Sequence, residues 1–189
     1  LKEQREFRTS FSKIEDFLNA IKIQLILSKL NSENLNRVVQ LFQKTNQFNL
    51  TTRRYGEEDL KQLELNGGDI YSISYEDTFG SQGIISVIVL IPEPDALRID
   101  SWLMSCRVLN RTVEQAVFEF ILGKANGRQI NGEYVSTEKN GLVSSLYKTL
   151  GFEKVVTVRD DSIVKDQWIY ANYDLENLKT NHHAFVSEV

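Results

Sequence analysis

Apolar positions along the first third of the chain recur mostly at helical spacing, and from residue 69 onward they fall into short dense runs. Phe7, Phe11, Ile14, Phe17 and Leu18 lie three or four apart, which predicts a helix over residues 1–18 with one apolar face. Ile21, Ile23, Leu25 and Leu27 then alternate with Lys22, Gln24 and Ile26, a period of two that predicts a first strand. Leu35, Val38, Val39 and Phe42 return to the helical period, so a helix is expected over 32–43. Residues 46–54 are polar and irregular. A shorter helix over 57–65 follows, stopped by Asn66-Gly67-Gly68, residues that tolerate positive φ.

The second part reads as strands at 69–76, 83–91 and 97–104, with turns at Phe79-Gly80 and after Pro92. The run 84–91 is apolar at both parities, so it is expected in the middle of a sheet covered on both faces. Val113, Ala116, Val117, Phe120 and Ile121 predict a helix ending near 123–127, and 129–135 a strand. Leu142, Val143, Leu146, Tyr147 and Leu150 predict one more helix, stopped by Gly151, before strands at 155–158 and 168–173. The order β-α-α-β-β-β-α-β-α-β-β implies an α/β (α+β) domain with a mixed sheet of six to seven strands flanked by helices. Residues 179–189 carry too little apolar content to assign and are read as a tail.

Composition narrows the class of protein. With 189 residues, 41% hydrophobic and 25% charged, the chain can bury one substantial core. A net charge of -4 disfavours nonspecific nucleic-acid binding, although it leaves room for a local basic pocket. A single cysteine rules out an intramolecular disulfide, and His182 and His183 are adjacent, without metal-ligand spacing to other residues, so no metal is expected. The apolar run 84–91 is too short to span a bilayer and the first residues form no secretory signal, so a cytoplasmic protein without membrane attachment is expected. A chain that begins at Leu1 is expected to come from a longer polypeptide.

The chemistry concentrates in residues 101–115, where an apolar strand breaks into an Arg-bearing turn and re-emerges as an amphipathic helix. A helix entered this way offers unpaired N–H groups and a positive dipole end to an anion. Arg107 and Arg111 at that mouth form a candidate fork for a phosphate. Cys106 beside them reads in two ways: as a nucleophile whose reactive thiolate such surroundings favour, or as a small buried hydrophobe. The amide-rich loop Asn46-Gln47-Phe48-Asn49, followed by Thr51, Thr52, Arg53 and Arg54, is a second candidate for recognising hydroxyls and charge. Thr137 and Asn140 read as caps of the following helix, Lys139 as an exposed charge, and Tyr147 as either an acid or a core aromatic.

The element order, the Arg-led turn and the later Leu-Tyr-Lys-Thr-Leu-Gly-Phe ending resemble the GNAT family of acyl-CoA N-acyltransferases over most of residues 21–173. That family's signature Q/R-x-x-G-x-G/A cradles the coenzyme A pyrophosphate, and the positions that match it are Arg107, Asn110 and Thr112, with both glycine positions substituted. Asn110 can adopt a left-handed conformation, whereas Thr112 places a β-branched side chain where close phosphate approach is wanted. Tyr147 matches the tyrosine that protonates the departing thiolate in many members.

Three segments together, residues 43–55, 105–109 and 132–140, resemble the C-terminal half of FkbH-like proteins. That family joins a HAD-type phosphatase domain to a GNAT-like domain, takes a glyceryl group from 1,3-bisphosphoglycerate, dephosphorylates it and loads it on an acyl carrier protein. The D-x-D-x-T phosphatase motif is absent from this sequence, so no phosphatase activity is expected of this chain. The implied layout is a connecting helix at 1–20 leading from a phosphatase domain of the same polypeptide, a GNAT-like domain at 21–178, and the tail.

The resemblance implies transfer of a (phospho)glyceryl group from 1,3-bisphosphoglycerate or a related acyl phosphate, through a thioester on Cys106, to the phosphopantetheine arm of an acyl carrier protein. Glu133 is the implied base and Tyr147 an acid. Arg107, Asn110, Arg111 and Thr112 would hold the phosphate or pantetheine, and Asn46, Asn49, Thr51, Thr52, Arg53, Arg54, Thr137, Lys139 and Asn140 the substrate. No tightly bound cofactor is expected. Two alternatives stay open: an amine acyltransferase using coenzyme A, and a non-catalytic module that docks the carrier protein.

Overall fold

The computed structural model describes residues 7, 9, 11–160, 163–171 and 184–189. Its helices are α1 (Ile14–Ile21), α2 (Leu35–Lys44), α3 (Glu57–Leu65), α4 (Val113–Ala125) and the single turn α5 (Leu146–Thr149). The strands are β1 (Ile23–Lys29), β2 (Asp69–Asp77), β3 (Gly80–Pro92), β4 (Ala96–Met104), β5 (Gln129–Ser136), β6 (Glu153–Asp160), β7 (Ile163–Tyr170) and β8 (Ala184–Glu188). They form one sheet in the order β6-β7-β5-β4-β3-β2-β1-β8. The β4–β5 and β1–β8 pairs are parallel, and all other neighbours are antiparallel.

The uniformly apolar β3 lies inside the sheet because both of its faces are covered. Ile85, Ile88 and Leu90 join a large core with α1 and α4, while Val87 and Val89 join a second core with Val38, Leu41 and Phe42 of α2 and Leu60 of α3. Burial at both parities is what removes the alternation expected of a half-exposed strand.

Three boundaries differ from the sequence reading. Ile21 ends α1 instead of starting β1, because Ile14, Phe17, Leu18 and Ile21 continue one helical face; the chain turns at Lys22 with φ 51°. The helix expected over 142–150 is broken into a 3₁₀ turn, Gly141–Val143, and α5, which leaves Leu142 exposed instead of in the core. In place of a loose tail, residues Ala184–Glu188 add β8 in parallel register with β1, from Ile23↔Ala184 to Leu27↔Glu188, and raise the strand number to eight among the described residues. The pairing is backbone to backbone, so the composition of β8 gave no signal for it. His182 and His183, and the expected end of the last strand at 172–173, lie outside the described residues.

The most consequential packing lies where β4 and β5 part. Their parallel register runs only from Ala96↔Gln129 to Ile99↔Gly132. Beyond it, the loop after α2 enters between the two strands: the Leu50 amide donates to the Trp102 carbonyl (3.1 Å), Met104 donates to Phe48 (3.0 Å), and Val135 donates to Leu50 (2.8 Å). Phe48 and Leu50 are buried, and Asn49 forms a bridge to Leu103. The open backbone edges that two diverging strands leave are therefore satisfied by this chain's own backbone.

Candidate functional site

The turn after β4 divides into three parts with different fates. Cys106 begins a 3₁₀ turn, Cys106–Val108, and its side chain is exposed, which decides against the small buried hydrophobe. Arg107 points outward with only the Ser105 hydroxyl as acceptor (3.2 Å). Arg111, expected to form a fork with Arg107, turns into the fold: it pairs with the fully buried carboxylate of Asp77 (2.9 Å), donates to the Tyr75 hydroxyl, and lies over the Tyr75 ring. A buried carboxylate needs such a partner, so Arg111 is held as a structural counter-ion and the two-arginine fork does not form.

The anion site expected at the mouth of α4 is also taken. Asn110 (φ 62°) and Thr112 (φ 58°) are both left-handed, a conformation that costs a β-branched residue about 1–2 kcal/mol. The Thr112 hydroxyl donates to the Arg111 carbonyl (2.7 Å). In the first turn of α4, Glu114 folds its carboxylate back onto its own backbone amide. The positive end of this helix thus already faces a negative group of the chain itself.

Cys106 and Arg107 instead open onto a groove of about 440 Å³ between the β4 turn and α2. Arg37 and Lys44 of α2, Asn46, Gln47 and Phe48 line it further, and no carboxylate does. Arg37 contacts only the Gln40 amide. Asn46 also lines an adjoining surface pocket of about 310 Å³, with Thr52, Arg54, Thr137, Glu138 and Lys139. Arg54 donates to the carbonyls of Phe42 and Thr45 and to the Asn46 amide oxygen, all neutral acceptors. Arg37, Lys44, Arg54, Arg107 and Lys139 have no salt-bridge partner among the described residues. On a protein of net charge -4 they form a cationic tract that meets at Asn46.

The sequence-predicted residues sort accordingly. Cys106, Arg107, Asn46, Thr52, Arg54, Thr137 and Lys139 gather along this tract. The remaining substrate candidates are structural. Asn49 is buried and its side chain accepts from the Thr52 amide (2.9 Å), Thr51 donates to the Asp100 carbonyl (3.1 Å), and buried Asn140 clamps Asn49 and Val135 through their carbonyls (2.9 and 2.8 Å). Arg53 pairs with Glu133 (2.9 Å) and Asp100 (3.6 Å), and Lys165 holds the other Glu133 oxygen. Both Glu133 oxygens are thus taken up in ion pairs, and Glu133 lines a different cleft from Cys106.

Tyr147 is likewise a core residue. It packs on Phe152 and Trp168, and Gly132 gives it room: a Cβ there would come within 2.5 Å of the ring. Its hydroxyl makes no hydrogen bond of good geometry, and burial pushes it well above the usual phenol range, opposite to what an acid needs. Arg37 and Lys44 were missed. Their signal is present in the sequence, since Arg37, Gln40, Leu41 and Lys44 share one helical stripe at i, i+3, i+4 and i+7. Among the described residues no three His, Cys, Asp or Glu side chains cluster as a metal would need, and no helix is long and apolar enough to cross a membrane.

A second cleft, of about 360 Å³, lies on the other side of Phe48 between α1, the start of α4 and residues 142–149. Apolar side chains share its lining with Asn110, Thr112, Gln115, Ser145 and Thr149, and Glu114 is the one charged residue in it among the described residues.

The sequence matches no protein-family model and no curated protein. Solved structures do share its shape. An acetyltransferase assigned to the GNAT family from Desulfovibrio desulfuricans superimposes with TM-score 0.62 at 10% identity, over 77% of this chain and 98% of that one. A spermidine N-acetyltransferase from Vibrio cholerae gives 0.57 at 14%, over 82% and 98%. A GNAT superfamily phosphinothricin acetyltransferase from Sinorhizobium meliloti, solved with AcCoA, gives 0.54 at 11%, over 76% and 87%. The fold is the GNAT acetyltransferase fold. At these identities the likeness is one of architecture, and the GNAT-fold domain carries its own arrangement of charge upon it.

Proposed function

We propose that this GNAT-fold domain is an acyltransferase that accepts an acyl group from an acyl phosphate on Cys106 and passes it to a second thiol. The observation that carries this reading is the exposed Cys106 in a groove with Arg107, Lys44 and Arg37 and no carboxylate. Cations without internal partners favour an anionic donor beside the exposed sulfur. In the first step the Cys106 sulfur attacks the acyl carbon, the C–O bond to phosphate breaks, and phosphate leaves with the electron pair and takes up the proton that the thiol gives up. In the second, the incoming thiol, as thiolate, attacks the thioester carbon, and the Cys106 sulfur leaves as thiolate.

The finer assignment follows the FkbH-like resemblance: a (phospho)glyceryl donor such as 1,3-bisphosphoglycerate, a carrier-protein phosphopantetheine thiol as acceptor, and a HAD-type phosphatase domain in the same polypeptide. Two anionic ends on one short ligand match two cationic groups that share Asn46, namely Arg37, Lys44 and Arg107 on one side and Arg54 and Lys139 on the other. The coenzyme A alternative has the shared fold in its favour. The filled β4–β5 gap denies a strand edge to the pantetheine chain of either acceptor, and against coenzyme A in particular stands Glu114 in the first turn of α4, where its pyrophosphate would approach.

Intact-mass measurement after incubation with 1,3-bisphosphoglycerate tests the reading. One acyl adduct on the wild-type chain and none on Cys106→Ala is the expected result. An adduct on the Cys106→Ala chain would overturn the nucleophile assignment. Affinity for a carrier protein with no acyl transfer from any donor would instead support a docking module.

A further inference from the structure

Asn46 stands where the groove of Cys106 meets the pocket of Arg54 and Lys139, and its amide is held in one direction. Arg54 donates to the carbonyls of Phe42 and Thr45 at the end of α2 and to the Asn46 Oδ1 atom (2.5 Å). A guanidinium carries donors alone, so this contact decides which end of the amide faces Arg54. The Asn46 NH2 group is directed away from Arg54 and donates to no group among the described residues. Arg54 is itself well anchored, since its charge lies at the negative end of the α2 dipole and on carbonyls that the helix leaves unpaired.

We propose that the Asn46 NH2 group holds the oxyanion that forms when the Cys106 sulfur adds to an acyl carbon, and that Arg54 is its positioning residue. The inference rests on the acyl-transfer reading of Cys106. As the C–S bond forms, the π electrons of the C=O bond move onto its oxygen, and Asn46 donates a hydrogen bond there without giving up a proton. The electron pair returns to rebuild the C=O bond as the C–O bond to the leaving group breaks. The cations of the groove suit the other end of the donor: Arg37, Lys44 and Arg107 are drawn to phosphate, whereas Asn46 is neutral and left for the carbonyl oxygen. A donor fixed before charge develops needs no reorganisation in the transition state, which is what makes such a contact effective.

Cys106 is the one cysteine of the chain, so 4-nitrophenyl acetate and iodoacetamide can be compared on a single thiol. Acylation by the ester passes through an oxyanion, and 4-nitrophenolate release reports its rate once the Cys106→Ala rate is subtracted. Alkylation by iodoacetamide forms no oxyanion. Asn46→Ala should slow acylation about 100-fold, the lower end of what loss of one such donor costs, and leave alkylation within about twofold. Arg54→Lys keeps the charge but not the fork, and should slow acylation alone by about tenfold. Equal losses in both reactions, acylation that survives Asn46→Ala, or an Arg54→Lys chain as fast as wild type would each overturn the inference. The adduct from 1,3-bisphosphoglycerate is scored in parallel. An Asn46-dependent ester reaction without that adduct supports the inference and overturns the donor assignment, whereas a wild-type thiol that takes an acyl group from neither reagent overturns both.

Discussion

The two clefts that share the Phe48 ring are built from opposite materials. On one side Arg37, Lys44, Arg107 and the Cys106 thiol face solvent with no carboxylate among them; on the other, apolar and neutral polar side chains surround Glu114, the single charge among the described residues there. The GNAT fold places both at the edge of the same strand-to-helix turn, so the architecture alone does not determine which side takes an anion. The placement of a few charges does. A helix mouth that would attract phosphate is made acidic by Glu114, and the cations without ion-pair partners lie on α2 and at the turn at Cys106.

The sharpest way to break this contrast is to remove the thiol: Cys106→Ala should abolish the acyl adduct entirely in intact-mass measurement, with unfolding unchanged because the side chain is exposed. Removing the shared wall comes next. Phe48 is 2% exposed and stacks edge-on against Trp102, so Phe48→Ala should cost about 3–5 kcal/mol in denaturant unfolding. Phe48→Leu should restore part of that stability.

The two arginines of the turn give a paired test. Arg111→Leu strands the buried Asp77 carboxylate and should cost about 3 kcal/mol of stability, while donor capture by the folded fraction persists. Arg107→Leu should leave stability within about 0.5 kcal/mol and weaken capture. Arg37→Ala and Lys44→Ala should each raise the donor concentration needed for half-maximal labelling by about 3–10-fold, less so at high salt, where exposed charges are screened.

The smallest effect is a pH dependence. Burial raises the folded-state pKa of Glu114 above its unfolded value, so the folded protein holds that proton more tightly. The associated stability is present in full below the ordinary glutamate range and is lost as pH rises through the raised value. Glu114→Gln should therefore be slightly more stable than wild type at neutral pH, and the difference should vanish on acidification, as followed by melting temperature.

Much of this was open to reading in the chain. Periodicity located α3 at its observed bounds, placed the strands from Asp69 to Met104 within a few residues, and predicted the interior position of β3, because each depends on burial of an element's own side chains. The turn at Cys106 also stood out, as a break in an apolar run beside two arginines. Sequence distance hid the rest. Arg107 and Arg111 are four residues apart and look equivalent until Asp77, brought in by β2, claims one of them. Glu133 looks unpartnered until Arg53 and Lys165 bracket it, and Tyr147 looks like an acid until Gly132, Phe152 and Trp168 enclose it.

By itself, then, the sequence determined the GNAT-like order of elements, the apolar interior of the sheet and the candidate turn, since local spacing sets which face of each element leaves water. Only the tertiary structure decided where charge is free and where it is spent. The loop Phe48-Asn49-Leu50 fills the gap between β4 and β5, and β8 joins β1 through backbone pairing that side-chain composition does not encode. The cations of α2 meet Cys106 because the fold packs them on one groove. Pairing between residues distant in sequence is a property of three-dimensional proximity, and it separated a cationic thiol site from an acidic cleft on either side of a single phenylalanine.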